Sequence, residues 1–296
     1  MPLSLKSKDL VSYLFSFELD RRKPVGKIIK TLSSPFRILP EFLIIGGQRC
    51  GSTYFYNCLK QHPNIKTTLR RKEIHFFDNN FNKGILWYKS YFPTVPSKYA
   101  NKYLLKNKII TGEASPYYLL HPLVPSRVHS LIPNVKLIIL VRNPVDRAYS
   151  HYKQQIQRGN ETLSFREAID QEKERLEGEI NKIISNELQY SSVLRNYSYL
   201  TRGVYINQIR NWTLYFSKDQ FLIIKSEDFF KNPQKILNKT FKFLNLPSFD
   251  NVIFKKPRQQ KYQKMDTGIR FELLEFFKLY NYQLYDYLGV KFDWEK

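Results

Sequence analysis

Four apolar residues in a row, Phe42-Leu-Ile-Ile45, run into two glycines and then the polar turn Gln48-Arg49-Cys50-Gly51-Ser52-Thr53. An unbroken apolar run of this length reads as a strand buried on both faces, which requires a parallel sheet with helices over each side. Beyond the turn, Tyr54, Phe55, Cys58 and Leu59 return at roughly helical spacing, so a helix is expected to begin near Ser52. Strand, glycine turn and helix together aim backbone N–H groups and the positive end of a helix dipole at an anion, usually a phosphate. A tight turn that merely needs glycine is the plain alternative.

The triphosphatase loop has the form G-x-x-x-x-G-K-[ST], and Gly46 to Thr53 places Ser52 where its lysine belongs. Without that lysine nothing in the loop neutralises a γ-phosphate. The cation stands earlier, at Arg49. A second strand signal, Val135 to Val141, runs into Arg142-Asn143-Pro144, where Pro144 fits a first helical turn and Asn143 its cap. On that helix Arg147 and Ser150 are spaced to share a face, and Arg142 at the strand end points to the same anion. Open α/β sheets bind ligands at this end of their strands.

Between these two segments lies Arg70-Arg71-Lys72-Glu73-Ile74-His75-Phe76-Phe77-Asp78. In an extended segment Glu73 and His75 face one side, a placement suited to taking a proton from a hydroxyl. An ordinary salt-bridged loop is the alternative. Lys108 to Thr111 reads as another short strand, leading into Gly112-Glu113-Ala114-Ser115-Pro116-Tyr117-Tyr118. Phe221 to Ile224 reads as a further buried strand, and Pro233 to Leu244 as a helix. Ile269 to Leu288 is an amphipathic helix whose aromatic stripe belongs to the core. Leu163 to Ile184 is a charged helical stretch with a solvated face, opened by the capping-box pair Ser164 and Glu167.

Two anion sites at two strand ends, the first lacking the triphosphatase lysine, suit a nucleotide with separated phosphates. Here the sequence resembles the sulfotransferases that use 3′-phosphoadenosine 5′-phosphosulfate (PAPS), most of all the heparan sulfate glucosaminyl 3-O- and N-sulfotransferase branch. The resemblance is carried by IIGGQRCGST, KEIHFFD, GILWY, GEASPYY, VPSRVHSLIPNVKLIILVRNPVDRAYSHY, RGVYINQIRNW, YQKMD and FDW, in order along the chain. It implies one α/β domain over residues 41–296, with a central parallel sheet flanked by helices in a P-loop-kinase-like sulfotransferase fold, after a basic extension at 1–40.

The resemblance also implies roles. The 5′-phosphosulfate loop falls on Arg49, Cys50, Gly51, Ser52 and Thr53, and the 3′-phosphate contacts on Arg142 and Ser150. The general base falls on Glu73, with His75 and Arg49 also catalytic; His75, Asp78 and Glu113 line the acceptor cleft. A basic loop closing over the nucleotide falls at about Arg258 to Tyr262, with Arg258 and Lys261 as its cations, although the branch's K-G-R pattern is not preserved. The implied reaction passes a sulfuryl group from PAPS to a hydroxyl or amine of a carbohydrate or small molecule, leaving 3′-phosphoadenosine 5′-phosphate (PAP), with no metal and no nucleic-acid partner. The branch usually follows Glu113 with a glycan-facing lysine; here Ala114 stands instead, which predicts a smaller or less acidic acceptor than heparan.

Charge and cysteines set the remaining expectations. A net charge of +22 over 296 residues predicts a polyanionic ligand, substrate or surface without choosing among them. Leu10 to Phe17 is too short to span a bilayer and lacks a cleavage site, and the only cysteines, Cys50 and Cys58, are not spaced to pair. Both features point to a reducing, cytoplasmic setting, with peripheral membrane contact through the extension left open. Two rivals stay open as well: a nucleotide kinase or triphosphatase, and a non-catalytic basic binder of nucleic acid or membrane.

Overall fold

The computed structural model describes residues 32–68, 72–103, 108–255 and 263–295. Most of the expected N-terminal extension, together with Arg258 and Lys261, lies outside the described residues. Five strands form one sheet: β1 (Phe42–Gly46), β2 (Ile65–Thr67), β3 (Ile110–Ala114), β4 (Lys136–Val141) and β5 (Phe221–Lys225). They pair in parallel in the order β2-β3-β1-β4-β5. The apolar run Phe42–Ile45 is therefore part of the central strand, which is fully buried along its length. Its neighbours β3 and β4 lie on opposite sides, so the carboxyl ends of β3, β1 and β4 stand side by side. That edge is where ligands bind in open parallel sheets.

Close packing at the centre leaves no room for side chains at some positions. A Cβ on Gly112 in β3 would come within 2.5 Å of the Phe42 carbonyl oxygen on β1. At the other edge, β5 departs from the expectation of a strand buried on both faces. Leu222 and Ile224 are buried while Phe221, Ile223 and Lys225 are half-buried, the alternation of an edge strand covered more fully on one face than on the other.

The helices that matter for the site are α1 (Ser52–Leu59), α2 (Pro144–Gln157), α3 (Ser192–Tyr197), α4 (Tyr205–Thr213), α5 (Ser226–Lys231) and α6 (Thr267–Leu288). Helix α1 starts at Ser52, as the spacing requires, after Gly51 takes a left-handed φ of 83° that glycine adopts without strain. At α2 the Asn143 side chain accepts a hydrogen bond from the Val145 amide at 3.0 Å, with Pro144 in the first turn. The Ser164–Glu167 capping box is present. The stretch behind it is three short helices, Phe165–Asp170, Glu172–Leu176 and Glu179–Ile184, and its charges do not all face solvent. Glu172 turns inward to accept from the amides of Leu200 and Thr201 at 2.6 and 2.8 Å, and Gly178 then bends the chain with a φ of 72°. Helix α6 buries Leu273, Phe277, Leu284 and Tyr285, packing on α2 and α4 as a core stripe should. Among the described residues no helix is long and apolar enough to cross a membrane.

Candidate active site

A cavity of about 2220 Å³ opens over the carboxyl ends of β3, β1 and β4. A single small-molecule site occupies roughly 300–1,000 Å³, so there is room for a nucleotide and a second ligand together. Its floor is the turn after β1, with Gln48, Arg49, Gly51, Ser52 and Thr53. Arg142 and Ser150 line one flank, Lys72, Glu73 and His75 another.

The two stretches expected from the sequence to hold anions meet in space. The Arg49 guanidinium donates through Nε to Ser150 Oγ at 3.0 Å, and Arg142 Nη1 lies 3.4 Å from the Arg49 carbonyl. Tyr205, on α4, locks the end of β4 by donating to the Arg142 carbonyl at 2.9 Å. Ser226 at the start of α5 donates to the Cys50 carbonyl at 2.6 Å, and the neighbouring Glu227 accepts from the Asn143 amide at 2.8 Å. The loop and the flank are thus tied to the same short helix.

Glu73, His75 and Asp78 form a chain of contacts. His75 Nε2 is 3.2 Å from Glu73 Oε2, and Nδ1 is 2.7 Å from Asp78 Oδ2. Burial raises the pKa of the Glu73 carboxyl, but the His75 hydrogen bond and the Lys72 charge outweigh it and bring it down to about 2. Burial lowers that of the His75 imidazole, yet its bonds to Asp78 and Glu73 carry it up to about 9. Near neutrality, then, Glu73 is a carboxylate and His75 an imidazolium.

The segment carrying these groups is not a strand. It is held by its backbone from the end of β3 and the turn that follows. The amide of Ile74 donates to Glu113 Oε2 at 3.2 Å, that of His75 to Ser115 Oγ at 3.4 Å, and those of Phe76 and Phe77 to the Tyr118 hydroxyl at 2.9 and 3.4 Å. The same Glu113 carboxylate accepts from the hydroxyls of Tyr88, Ser115 and Tyr118 at 2.7, 2.8 and 3.0 Å. KEIHFFD and GEASPYY are therefore two halves of one structure.

A model of the sulfotransferase domain family matches residues 39–283. The chain belongs to that family. This sulfotransferase is 26% identical to the membrane-associated sulfotransferase kil1 of Dictyostelium discoideum, over 87% of its own length and 67% of that protein's. It is 29% identical to the human bifunctional heparan sulfate N-deacetylase/N-sulfotransferase 2, over 83% of this chain but only 29% of that enzyme. Among solved structures it is similar to a sulfotransferase from Alicyclobacillus acidocaldarius, with a TM-score of 0.67 and 27% identity, covering 88% of this chain and 100% of that one.

Several expected site residues sit elsewhere than the sequence suggested. The Cys50 side chain is buried near the Tyr205 hydroxyl, 3.5 Å away, and its amide is taken by the Gly47 carbonyl at 3.2 Å, so it offers the cavity neither group. Asp78 and Glu113 do not line the cavity. The Asp78 side chain is 0% exposed beneath His75, and Glu113 is 0% exposed in its ring of hydroxyls and amide, so both support residues 73–77 from behind. Arg147, expected beside Ser150, is 1% exposed and turns into the core to donate to the Tyr199 carbonyl. Ser150 keeps the cavity side of α2.

Other residues reach the site without a sequence signal. Arg195 on α3 lines the cavity, its Nη1 donating to the Tyr190 hydroxyl at 3.1 Å. Burial works against its charge, but Tyr190 and then Glu73 and Asp78 raise its pKa on balance. Phe230, at the end of α5, also lines the cavity, stacked on Tyr54 with ring centroids 5.8 Å apart. Among the described residues no cluster of three or more histidine, cysteine or acidic side chains is arranged to hold a metal ion.

Proposed function

We propose that this sulfotransferase moves a sulfuryl group from PAPS to a hydroxyl or amine of a carbohydrate or small-molecule acceptor, with Glu73 as general base. The observation that carries this reading is the reach of one side chain. Lys72 Nζ lies 2.8 Å from Thr53 Oγ1 and 3.2 Å from Glu73 Oε1, so the donor loop and the carboxylate face each other across a single ammonium group. A general base must stand within hydrogen-bond reach of the proton it removes, and a group-transfer site needs its two partners that close.

The residues fit a nucleotide with two separated phosphate groups. Ser52, Thr53 and the start of α1 hold the 5′ side; Arg142 and Ser150, on the far side of Arg49, hold the 3′-phosphate. Phe230, stacked on Tyr54 at the rim, offers an apolar face to the base. When bound, PAPS supplies a sulfuryl group activated by its bond to phosphate. Glu73 takes the acceptor's proton as the acceptor oxygen or nitrogen bonds to sulfur and the sulfur–oxygen bond to phosphate breaks. Arg49 and the loop amides stabilise the charge left on that phosphate.

On the acceptor side, Lys72 and Arg195 stand near the two carboxylates. Ala114 favours an acceptor less acidic than heparan, whereas Lys72 and Arg195 supply positive charge on that flank, and transfer to native against desulfated glycans decides between the two. The test is calorimetry with PAP against ATP and adenosine 5′-phosphate, followed by transfer from labelled PAPS to a panel of native and desulfated glycans and hydroxylated small molecules. Preference for PAP and labelling of one acceptor class are expected. Equal binding of PAP and adenosine 5′-phosphate, or turnover of ATP with magnesium, would overturn the reading.

A further inference from the structure

We propose that Lys72 is a catalytic cation of this site, touching the sulfuryl group as it passes from the donor loop toward Glu73. The inference rests on the donor reading above and adds to it a residue that the phosphosulfate-loop pattern does not contain. Its ammonium donates to Ser52 Oγ at 3.2 Å and Thr53 Oγ1 at 2.8 Å, and to Glu73 Oε1 at 3.2 Å. Ser52 is the position at which a triphosphatase loop carries its own lysine. The positive charge missing from the loop is thus delivered from the segment that holds the base.

The lysine is positioned rather than trailing in solvent. Its carbonyl accepts from the Ala114 amide at 3.2 Å, at the end of β3, and its side chain is only 18% exposed on the cavity wall. The other loop cation points the opposite way: Arg49 bonds Ser150, on the Arg142 flank. Charge is thereby divided, with Arg49 on the side of the departing nucleotide and Lys72 on the side of the acceptor. An ammonium group has three donors that rotate together, so Lys72 can exchange one of its three present contacts for a sulfuryl oxygen without leaving the other two. As it does so, its hold on the Glu73 carboxylate weakens, and Glu73 becomes a better base at the moment a base is needed.

No proton moves through Lys72. Glu73 takes the acceptor's proton, the new bond joins the acceptor atom to sulfur, and the electron pair of the broken sulfur–oxygen bond stays with the phosphate of PAP. Lys72 acts by charge alone, at the place where negative charge crosses from one partner to the other.

The plain alternative is a structural ion pair that holds Glu73 in place. Calorimetry with PAPS and with PAP separates the two, because only PAPS carries the sulfuryl group. In Lys72→Met and Lys72→Gln, PAPS affinity should fall roughly tenfold while PAP affinity stays within about threefold of wild type. Turnover of the acceptor found in the screen should fall about 100-fold or more, with Lys72→Arg recovering at least about tenfold of that loss. Far-ultraviolet circular dichroism and melting temperature report whether each variant folds; Met keeps the length of the stem, Gln its polarity and Arg both length and charge at a position 18% exposed. An unchanged PAPS-to-PAP affinity ratio, or turnover within about threefold of wild type, would overturn the role of Lys72. Failure of the wild type itself to bind PAP would overturn the donor reading instead, so the two failures are told apart.

Discussion

Arg142 and Ser150 are the residues on which the choice of nucleotide turns. Arg142→Ala should remove most of the preference for PAP over adenosine 5′-phosphate, a loss of roughly 1.5–3 kcal/mol for one charge-assisted contact, read by calorimetry. Glu73→Gln should abolish transfer to the preferred acceptor while leaving PAP binding intact, since Glu73 lies on the acceptor side of Lys72. His75 carries a pH dependence of known sign. Its folded pKa is raised from 6.5 to about 9. Its charge therefore stabilises the native state fully below about pH 6.5, and that contribution drains away as pH rises toward 9. The unfolding free energy of wild type minus that of His75→Gln, read from urea denaturation, should be flat in mild acid and shrink between those values, by on the order of 2 kcal/mol after allowance for coupling to Glu73 and Asp78. A difference that instead grew with pH would show that His75 is neutral in the folded protein.

The elements divide into those readable from local pattern and those that were not. β1, α1 and the Asn143-capped α2 were legible because each is set by its own residues: an apolar run, a glycine that must turn left-handed, an Asn-Pro start. Asn143→Ala should cost about 1 kcal/mol as a lost cap, visible as a lower melting temperature, and should weaken PAP binding because Arg142 is its neighbour. Gly112→Ala tests the sheet in the same way. Its added methyl would meet the β1 backbone at Phe42, which cannot rotate aside, so a loss of about 1–3 kcal/mol or insoluble protein is expected. What could not be read was side-chain direction. The inward turns of Arg147 and Glu113 depend on partners from other elements, at Tyr199 and Tyr88, and that of Asp78 on the left-handed turn that lays His75 over it. Arg195 and Phe230 reach the cavity from helices far along the chain, and no spacing in their own surroundings announces it.

Across the whole molecule the net charge of +22 acts at longer range than any one contact. Raising salt should weaken the apparent affinity for sulfated or carboxylated acceptors, because exposed charges are screened beyond roughly 8–10 Å at 0.1–0.15 M ionic strength. A neutral acceptor measured beside them should show little change; equal sensitivity of both would place the effect on the nucleotide. The order of the strands, with β1 between β3 and β4, was implied only loosely by the motifs, yet it is what brings the loop, the base and the second anion site to one edge. The grip of Glu113, Ser115 and Tyr118 on successive amides of residues 74–77 has a further consequence for how such a protein can change. A segment fastened by its main chain owes much of its position to groups that lie outside it. The place at which Glu73 stands is thus set from a distance: a change at Glu113, Ser115 or Tyr118, on the far side of the chain from the cavity wall, would shift that wall as surely as a change within it.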